Sequence, residues 1–186
     1  MTAGRLIVIS APSGTGKTTI CQQLRERHPG WNFSVSATTR PKRNGETDGV
    51  DYRFLTNAEF DEKLSAGEFV EWERVHDHRY GTLVTVLEKA LDGGELLLLD
   101  VDVKGGVRIK NRYPSETVSI FIEPPDEETL IKRLKGRGTD GSAVIRRRLE
   151  RIPEEMGYRD RYDHVVVNDK LEVAIADIEN ILKETA

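Results

Sequence analysis

The sequence predicts an α/β domain, one parallel sheet with helices on both faces, from three observations. Apolar, largely β-branched or leucine-rich runs recur at Leu6 to Ile9, Leu96 to Leu99, 117–123 and 163–167. Stretches with helical spacing of apolar residues separate them, and continuously apolar strands are the ones covered on both faces. The first run breaks into a glycine-rich turn that opens a helix, and alternating strands and helices of this kind place a ligand at the C-terminal strand ends.

At 186 residues the chain is one domain's worth, long enough to bury a substantial core. Its 28 basic and 32 acidic side chains leave a formal charge of -4 at pH 7, so no global positive field draws it onto nucleic acid or an anionic membrane. The longest apolar runs fall far short of the roughly 20 residues that cross a bilayer, and the first residues lack a signal-peptide plan, so the expected location is cytoplasmic. The single cysteine, Cys21, has no internal partner and reads as a small buried thiol. The four histidines, His28, His76, His78 and His164, show no metal-ligand spacing. Oligomeric state is not encoded in any of these features.

Taken in order, a strand at 6–9 leads into the turn, and 17–28 reads as a helix with Ile20 and Leu24 on one side, ended by Pro29-Gly30. A strand is expected at 32–37, a polar loop at 38–49, and a strand again at 50–55. Thr56 with Glu59 three residues later is a capping-box signal, so a short helix to about residue 65 precedes a strand at 68–74. A helix at about 83–91 stops at Gly93-Gly94, and 95–101 follows as a buried strand. Beyond it come a helix at 105–111, a strand at 117–123, and a helix capped by Asp126 that runs to about 134. Glycines and arginines dominate 135–151, and a strand at 163–167 with an amphipathic helix at 171–182 closes the fold.

Chemistry concentrates first at residues 5–18. Without side chains at Gly14 and Gly16 the backbone can turn so that successive N–H groups face phosphate oxygens, and the following helix adds its positive dipole end. Lys17 is then placed to reach the β- and γ-phosphates, and the Thr18 hydroxyl to hold Mg²⁺. The usual phosphate-loop pattern, G-x-x-x-x-G-K-[ST], has glycine where this chain has Ala11. Asp100, at the end of a leucine-rich strand, is where such proteins hold Mg²⁺ directly or through water. Strand period two puts Asp102 on the same side, and two carboxylates so close call for a cation or hydrogen-bond donors. Residues 34–43 gather Arg40, Lys42 and Arg43 with hydroxyls, and Tyr52 follows, a set suited to bidentate phosphate binding.

Taken together, Ser10-Ala-Pro-Ser-Gly-Thr-Gly-Lys-Thr18, Ser34-Val-Ser-Ala-Thr-Thr-Arg-Pro-Lys-Arg43, Asp51-Tyr-Arg-Phe54, Phe69-Val-Glu-Trp72, Tyr80-Gly-Thr82, Asp100-Val-Asp102, Arg137-Gly-Thr139 and Val167-Asn-Asp169 resemble the guanylate kinase family, in family order and over nearly the whole chain. That family accepts alanine at position 11. The resemblance implies a phosphate-loop core (about 1–33, 84–125 and 156–186), a GMP-binding region (about 34–83) and a helical lid (about 126–155). It further implies an ATP site at Ala11, Pro12, Ser13, Gly14, Thr15, Gly16, Lys17, Thr18 and Thr19, with Arg133 and Asn168 beside it. Arg40, Arg43, Tyr52 and Tyr80 would hold the GMP phosphate, and Ser36, Glu71, Thr82 and Asp102 would surround guanine. Lys17, Arg137 and Arg148 would be catalytic, with Mg²⁺ at Thr18 and Asp100, partly through water.

The physical logic agrees. Guanine offers N1–H and the 2-amino group as adjacent donors, which carboxylates at Glu71 and Asp102 can accept; adenine would leave them unpaired. The implied reaction is γ-phosphoryl transfer from ATP to GMP or dGMP, the nucleotides being the expected partners, with no nucleic acid or membrane. Two departures, Lys104 where the family commonly has glutamine and His78-Arg79 before Tyr80, bear on the acceptor site. A family-like module that only binds proteins would lack the working phosphate loop, and a kinase for a different phosphate ester is the other reading these departures allow.

Overall fold

The computed structural model describes residues 4–75, 77–136 and 142–185. The chain runs β1 (Arg5–Ser10), α1 (Lys17–Arg27), β2 (Asn32–Phe33), β3 (Ala37–Thr38), β4 (Arg53–Phe54), α2 (Asn57–Ser65), β5 (Phe69–Val75) and β6 (His78–Leu83). It continues through α3 (Val84–Asp92), β7 (Leu96–Asp100), α4 (Val103–Arg112), β8 (Thr117–Glu123), α5 (Glu127–Gly136), α6 (Ser142–Met156), a 3₁₀ turn (Arg159–Arg161), β9 (His164–Val167) and α7 (Leu171–Glu184).

Five strands form a parallel sheet in the order β2-β7-β1-β8-β9, with β1 at its centre. The continuous apolar run of β1 is explained by cover on both faces. Leu6 and Val8 pack with Leu87, Leu97, Leu99, Ile109 and Phe121, under α3 and α4. Ile7 and Ile9 pack with Ile20, Leu24, Leu98, Ile120, Ile175 and Ile178, under α1 and α7. Cys21 lies in this second layer, 3% exposed, as a small apolar side chain. Truncating one such buried leucine or isoleucine to alanine costs about 2–5 kcal/mol, against about 5–15 kcal/mol for a whole domain, so the strand that feeds the glycine turn is firmly seated.

A second sheet, β4-β3-β6-β5, is mixed: β3 pairs with β4 in parallel, and β6 pairs antiparallel with both β3 and β5. Its core is small, with Ala37, Phe60, Phe69 and Leu83 buried together. Phe60 comes from α2, whose N-terminus has the expected capping box: Thr56 Oγ1 accepts from the Glu59 N–H and Glu59 returns to the Thr56 N–H.

The structure corrects the expected elements in four places. The strand expected at 32–37 is two short strands in different sheets, the chain crossing between them at residues 34–36. Of the strand expected at 50–55 only Arg53–Phe54 forms, and Val50 is 61% exposed, with no sheet face to cover it. The strand β6 was not expected at all, because His78-Arg-Tyr-Gly-Thr-Leu83 has no apolar alternation; backbone pairing with β5 makes it. Finally, β7 ends at Asp100, so Asp102 is not a strand residue; it is the N-cap of α4.

Candidate functional site

The turn after β1 rests on its glycines. Gly14 (φ 91°) and Gly16 (φ 98°) occupy the left-handed region, and Gly16 is the N-cap of α1. A Cβ on Gly14 would stand 2.6 Å from Leu134 Cγ, and one on Gly16 would stand 2.7 Å from Asn168 Nδ2. Within the turn, both the Thr15 N–H and its hydroxyl donate to the Pro12 carbonyl. Ala11, Pro12, Gly14 and Thr15 are buried and Ser13 and Gly16 half-buried, while Thr18 and Thr19 are exposed at the start of α1.

Lys17 Nζ sits 2.6 Å from Asp100 Oδ1 and donates to the Val101 carbonyl at 2.6 Å. Burial alone would lower the pKa of this amine, but the Asp100 carboxylate outweighs it and holds the ammonium above its usual range. A cleft of about 660 Å³ between α1 and β2 is lined in part by Thr18, Cys21, Arg25, Phe33 and Asp100, so the corner shared by Thr18 and Asp100 opens to solvent.

Arg133 and Asn168 brace the turn from behind. Asn168 Nδ2 donates to the Thr15 carbonyl at 2.7 Å, and Arg133 Nη1 donates to the Asn168 carbonyl at 2.8 Å and the Thr15 carbonyl at 3.4 Å. Sequence reasoning missed Glu155, from the last turn of α6, whose Oε2 accepts from the Ser13 N–H at 3.0 Å. A contact spanning 142 positions leaves no local signal. Arg148 lies half-buried on α6, and Arg137 lies outside the described residues.

Glu71 and Thr82 face each other across β5 and β6, and the Thr82 hydroxyl donates to Glu71 Oε1 at 2.5 Å. Both are buried. Burial pushes the Glu71 carboxyl up to about 7, the Thr82 hydroxyl opposes this, and the nearby Asp102 carboxylate adds to it. Asp102 Oδ1 accepts from the Gly105 N–H at 2.6 Å, and a Cβ on Gly105 would stand 2.8 Å from Glu71 Oε2. A side chain there would push Glu71 away from α4, so Gly105 belongs to this pocket although sequence reasoning passed over it.

Next to this pocket, Arg40, Tyr52 and Tyr80 converge. The Arg40 guanidinium lies 5.2 Å from the Tyr52 ring centre, and the Tyr52 and Tyr80 rings meet edge-on at 5.9 Å. Arg40 is bound by Glu46, with Nη2 to Oε1 at 2.7 Å and Nη1 to Oε2 at 3.0 Å. The Arg43 N–H also donates to Glu46, while the Arg43 side chain is exposed. Those bonds, led by the one from Arg40, hold the Glu46 carboxyl below its usual range. Glu46 is thus an internal anion on the arginine fork, and its place six residues after Arg40 in a basic loop was the available signal. Ser36 is half-buried at the rim, its carbonyl accepting from the Arg53 N–H.

Both departures have partners. The Arg79 guanidinium binds Asp61 and the Asn57 carbonyl on α2 and lies over the Phe60 ring, and Lys104 Nζ pairs with Glu154 at 2.8 Å. Among the described residues no helix is long and apolar enough to cross a membrane, and no group of three or more His, Cys, Asp or Glu is placed to hold a metal.

The chain is similar to known proteins over nearly its whole length. The guanylate kinase family model matches residues 3–185. A guanylate kinase of Gloeobacter violaceus is 49% identical over 180 residues, 97% of this chain and 87% of that protein. One from Fusobacterium nucleatum is 45% identical over 98% of both chains. The crystal structure of guanylate kinase from Anaplasma phagocytophilum superimposes with a TM-score of 0.77 at 32% identity, covering 99% of this chain and 87% of that one. The chain therefore belongs to the guanylate kinase family.

Proposed function

We propose that the chain is an ATP-dependent nucleoside monophosphate kinase that transfers the γ-phosphoryl group of ATP to GMP, or dGMP, giving ADP and GDP for purine nucleotide recycling and GTP supply. The observation that carries this reading is the way residues 100–102 join two seats. Asp100 and Val101 hold Lys17 of the phosphate turn, while Asp102 and Glu71 both border Gly105 in the second pocket. In this reading a donor triphosphate and an acceptor nucleotide lie on opposite sides of one short turn.

In this reading the turn from Ala11 to Thr19, with Arg133 and Asn168, receives ATP, its N–H groups and the α1 N-terminus facing the phosphates. Ser36, Glu71, Thr82 and Asp102 receive guanine, and Arg40, Arg43, Tyr52 and Tyr80 receive its phosphate. The Arg40 fork already binds a carboxylate bidentately, geometry that suits two phosphate oxygens equally well, so GMP takes the place of Glu46. Residues 34–83 act as the acceptor region and 126–155 as a lid on the remaining core.

The acceptor phosphate is anionic at neutral pH, so transfer needs no strong general base. Lys17, with Arg137 and Arg148 from the lid, neutralises charge spread over the equatorial oxygens, and closure excludes water as a competing acceptor. Thr18 and Asp100 offer one hydroxyl and one carboxylate, a donor set that fits Mg²⁺ held mostly by phosphate oxygens and water. Thr18 and Asp100 would hold the ion, which would supply positive charge to offset that of the phosphates. With ATP and GMP as partners and neither nucleic acid nor membrane required, the expected site of action is the cytosol.

The test is ADP release with Mg-ATP and each of GMP, dGMP, IMP, AMP, CMP and UMP. Turnover with GMP and dGMP far above the others is expected. Turnover with a different acceptor but not GMP would overturn the guanine reading, and none with any would leave a binding module.

A further inference from the structure

The last turn of α6 touches the core on two sides, through neighbouring side chains. Glu154 reaches Lys104 on α4, while Glu155, its side chain 14% exposed, reaches the Ser13 N–H in the phosphate turn. On the other stem of the same helical pair, Arg133 of α5 holds the Thr15 carbonyl of that turn. The turn is thus gripped by a carboxylate at one N–H and by a guanidinium at one carbonyl, from the two helices that flank residues 137–141. Pro153 has no N–H to bond the Leu149 carbonyl, so the turn that carries Glu154 and Glu155 is joined to the rest of α6 by one bond fewer and relies on these core contacts.

We propose that Glu155 is a positioning residue for phosphoryl transfer: it holds the Ser13 N–H and thereby fixes the phosphate turn, so that the amides which follow Ser13 converge on the triphosphate. This rests on the reading of that turn as the ATP site. The groups that face Glu155 are Arg151, at 3.5 Å on its own helix, the Ser13 N–H, and the more distant charges of Lys17 and Asp102. Arg151 pairs with the oxygen not used by Ser13, which leaves Oε2 directed at the turn. Without Glu155 the half-buried Ser13 amide loses its acceptor and the turn gains alternative conformations that must be ordered again when ATP binds.

The test is steady-state kinetics of Glu155→Ala, Glu155→Gln and Glu155→Asp, with ATP and GMP varied separately, beside thermal unfolding. Glu155→Ala is expected to raise the KM for ATP about tenfold, with the KM for GMP changed less than about twofold. Glu155→Gln keeps an oxygen acceptor at the same reach and is expected to return most of the loss. Glu155→Asp withdraws the acceptor by one methylene and is expected to move in the same ATP-selective direction as alanine, which keeps the test open if the alanine variant does not fold.

An unchanged or lower KM for ATP in a folded Glu155→Ala, or in Glu155→Asp if alanine does not fold, would overturn the proposal. So would a glutamine variant as impaired as alanine, or parallel rises in both KM values with a drop in melting temperature, the mark of a merely structural contact. If the unsubstituted chain releases no ADP from ATP and GMP, the reading of the turn falls, and the role of Glu155 with it. Normal turnover with indifferent variants removes Glu155 alone.

Discussion

The turn between β1 and α1 and the loop between β3 and β4 each provide a place for an anion, but they are built from different parts. In the first, the seat is backbone: left-handed Gly14 and Gly16 shape the turn, and the strand that delivers them is buried on both faces. In the second, the seat is side chains: Arg40 and Tyr52 come from the loop between β3 and β4, strands only two residues long, and Tyr80 comes from β6. Each seat holds an internal carboxylate, Glu155 on the Ser13 N–H and Glu46 on the Arg40 fork. A backbone seat recognises phosphate and little else, whereas a side-chain seat can be extended by Glu71 and Thr82 to read the base as well. In the function proposed above, the donor and acceptor roles follow from that difference.

The largest effect should come from the one side chain the backbone seat cannot do without. Lys17→Ala is expected to lower kcat about 10³-fold, because charge developing on the transferred group loses its closest cation. It should also destabilise the fold somewhat, since Asp100 loses its partner; stopped-time ADP release and thermal unfolding read the two effects. On the acceptor side, Arg40→Ala is expected to raise the KM for GMP about 10²-fold with the KM for ATP nearly unchanged, as a bidentate charged contact is lost. Equal shifts in both KM values would show that the seats are not separable.

Glycines provide a sharper comparison, because Gly14 and Gly45 share nearly the same φ, 91° and 90°. A Cβ at Gly14 meets Leu134 at 2.6 Å, whereas nothing lies within 4 Å of one at Gly45. Denaturant unfolding should therefore show a loss of about 3 kcal/mol for Gly14→Ala and about 1 kcal/mol for Gly45→Ala, strain alone acting in the second. Similar losses would mean that the core turn is no more tightly packed than the exposed loop.

Much of this asymmetry was legible in the sequence. The strands β1, β7 and β8 announce themselves through continuous apolar runs, and Gly14, Gly16 and Lys17 follow directly on β1, so the donor seat is written in contiguous residues. The acceptor seat is spread over 36–105, where β3 and β4 are only two residues long and β6 is held by backbone pairing rather than by an apolar run. Nothing in residues 32–37 marks the change of sheet, since no glycine or proline interrupts the alternation. Glu155 and Gly105 were invisible for a related reason. One acts across 142 positions, and the other matters only because Glu71 comes close to it in space.

The pH dependence separates the halves at a smaller scale. Glu71 is pushed up to about 7 from the ordinary 4.5, so the folded chain binds more protons than the unfolded chain between those values. Its contribution to stability is complete below about pH 4.5 and is lost as pH rises through 7. Glu71→Gln removes this dependence, and the variant should match the unsubstituted chain at pH 4.5 yet be more stable by about 1–3 kcal/mol at pH 8. Thermal unfolding across that range checks it, and an unchanged difference at all pH values would show that the carboxyl is not the group responsible.

The central claim is that the side-chain seat reads guanine through Glu71 while the backbone seat reads only phosphate, and the ratio of kcat/KM for GMP over AMP tests it most directly. For the unsubstituted chain the ratio should be about 10⁴ or more, and Glu71→Gln should lower it at least about 10²-fold with the KM for ATP unchanged. Comparable turnover of GMP and AMP by the unsubstituted chain, or a ratio indifferent to Glu71→Gln, would contradict it.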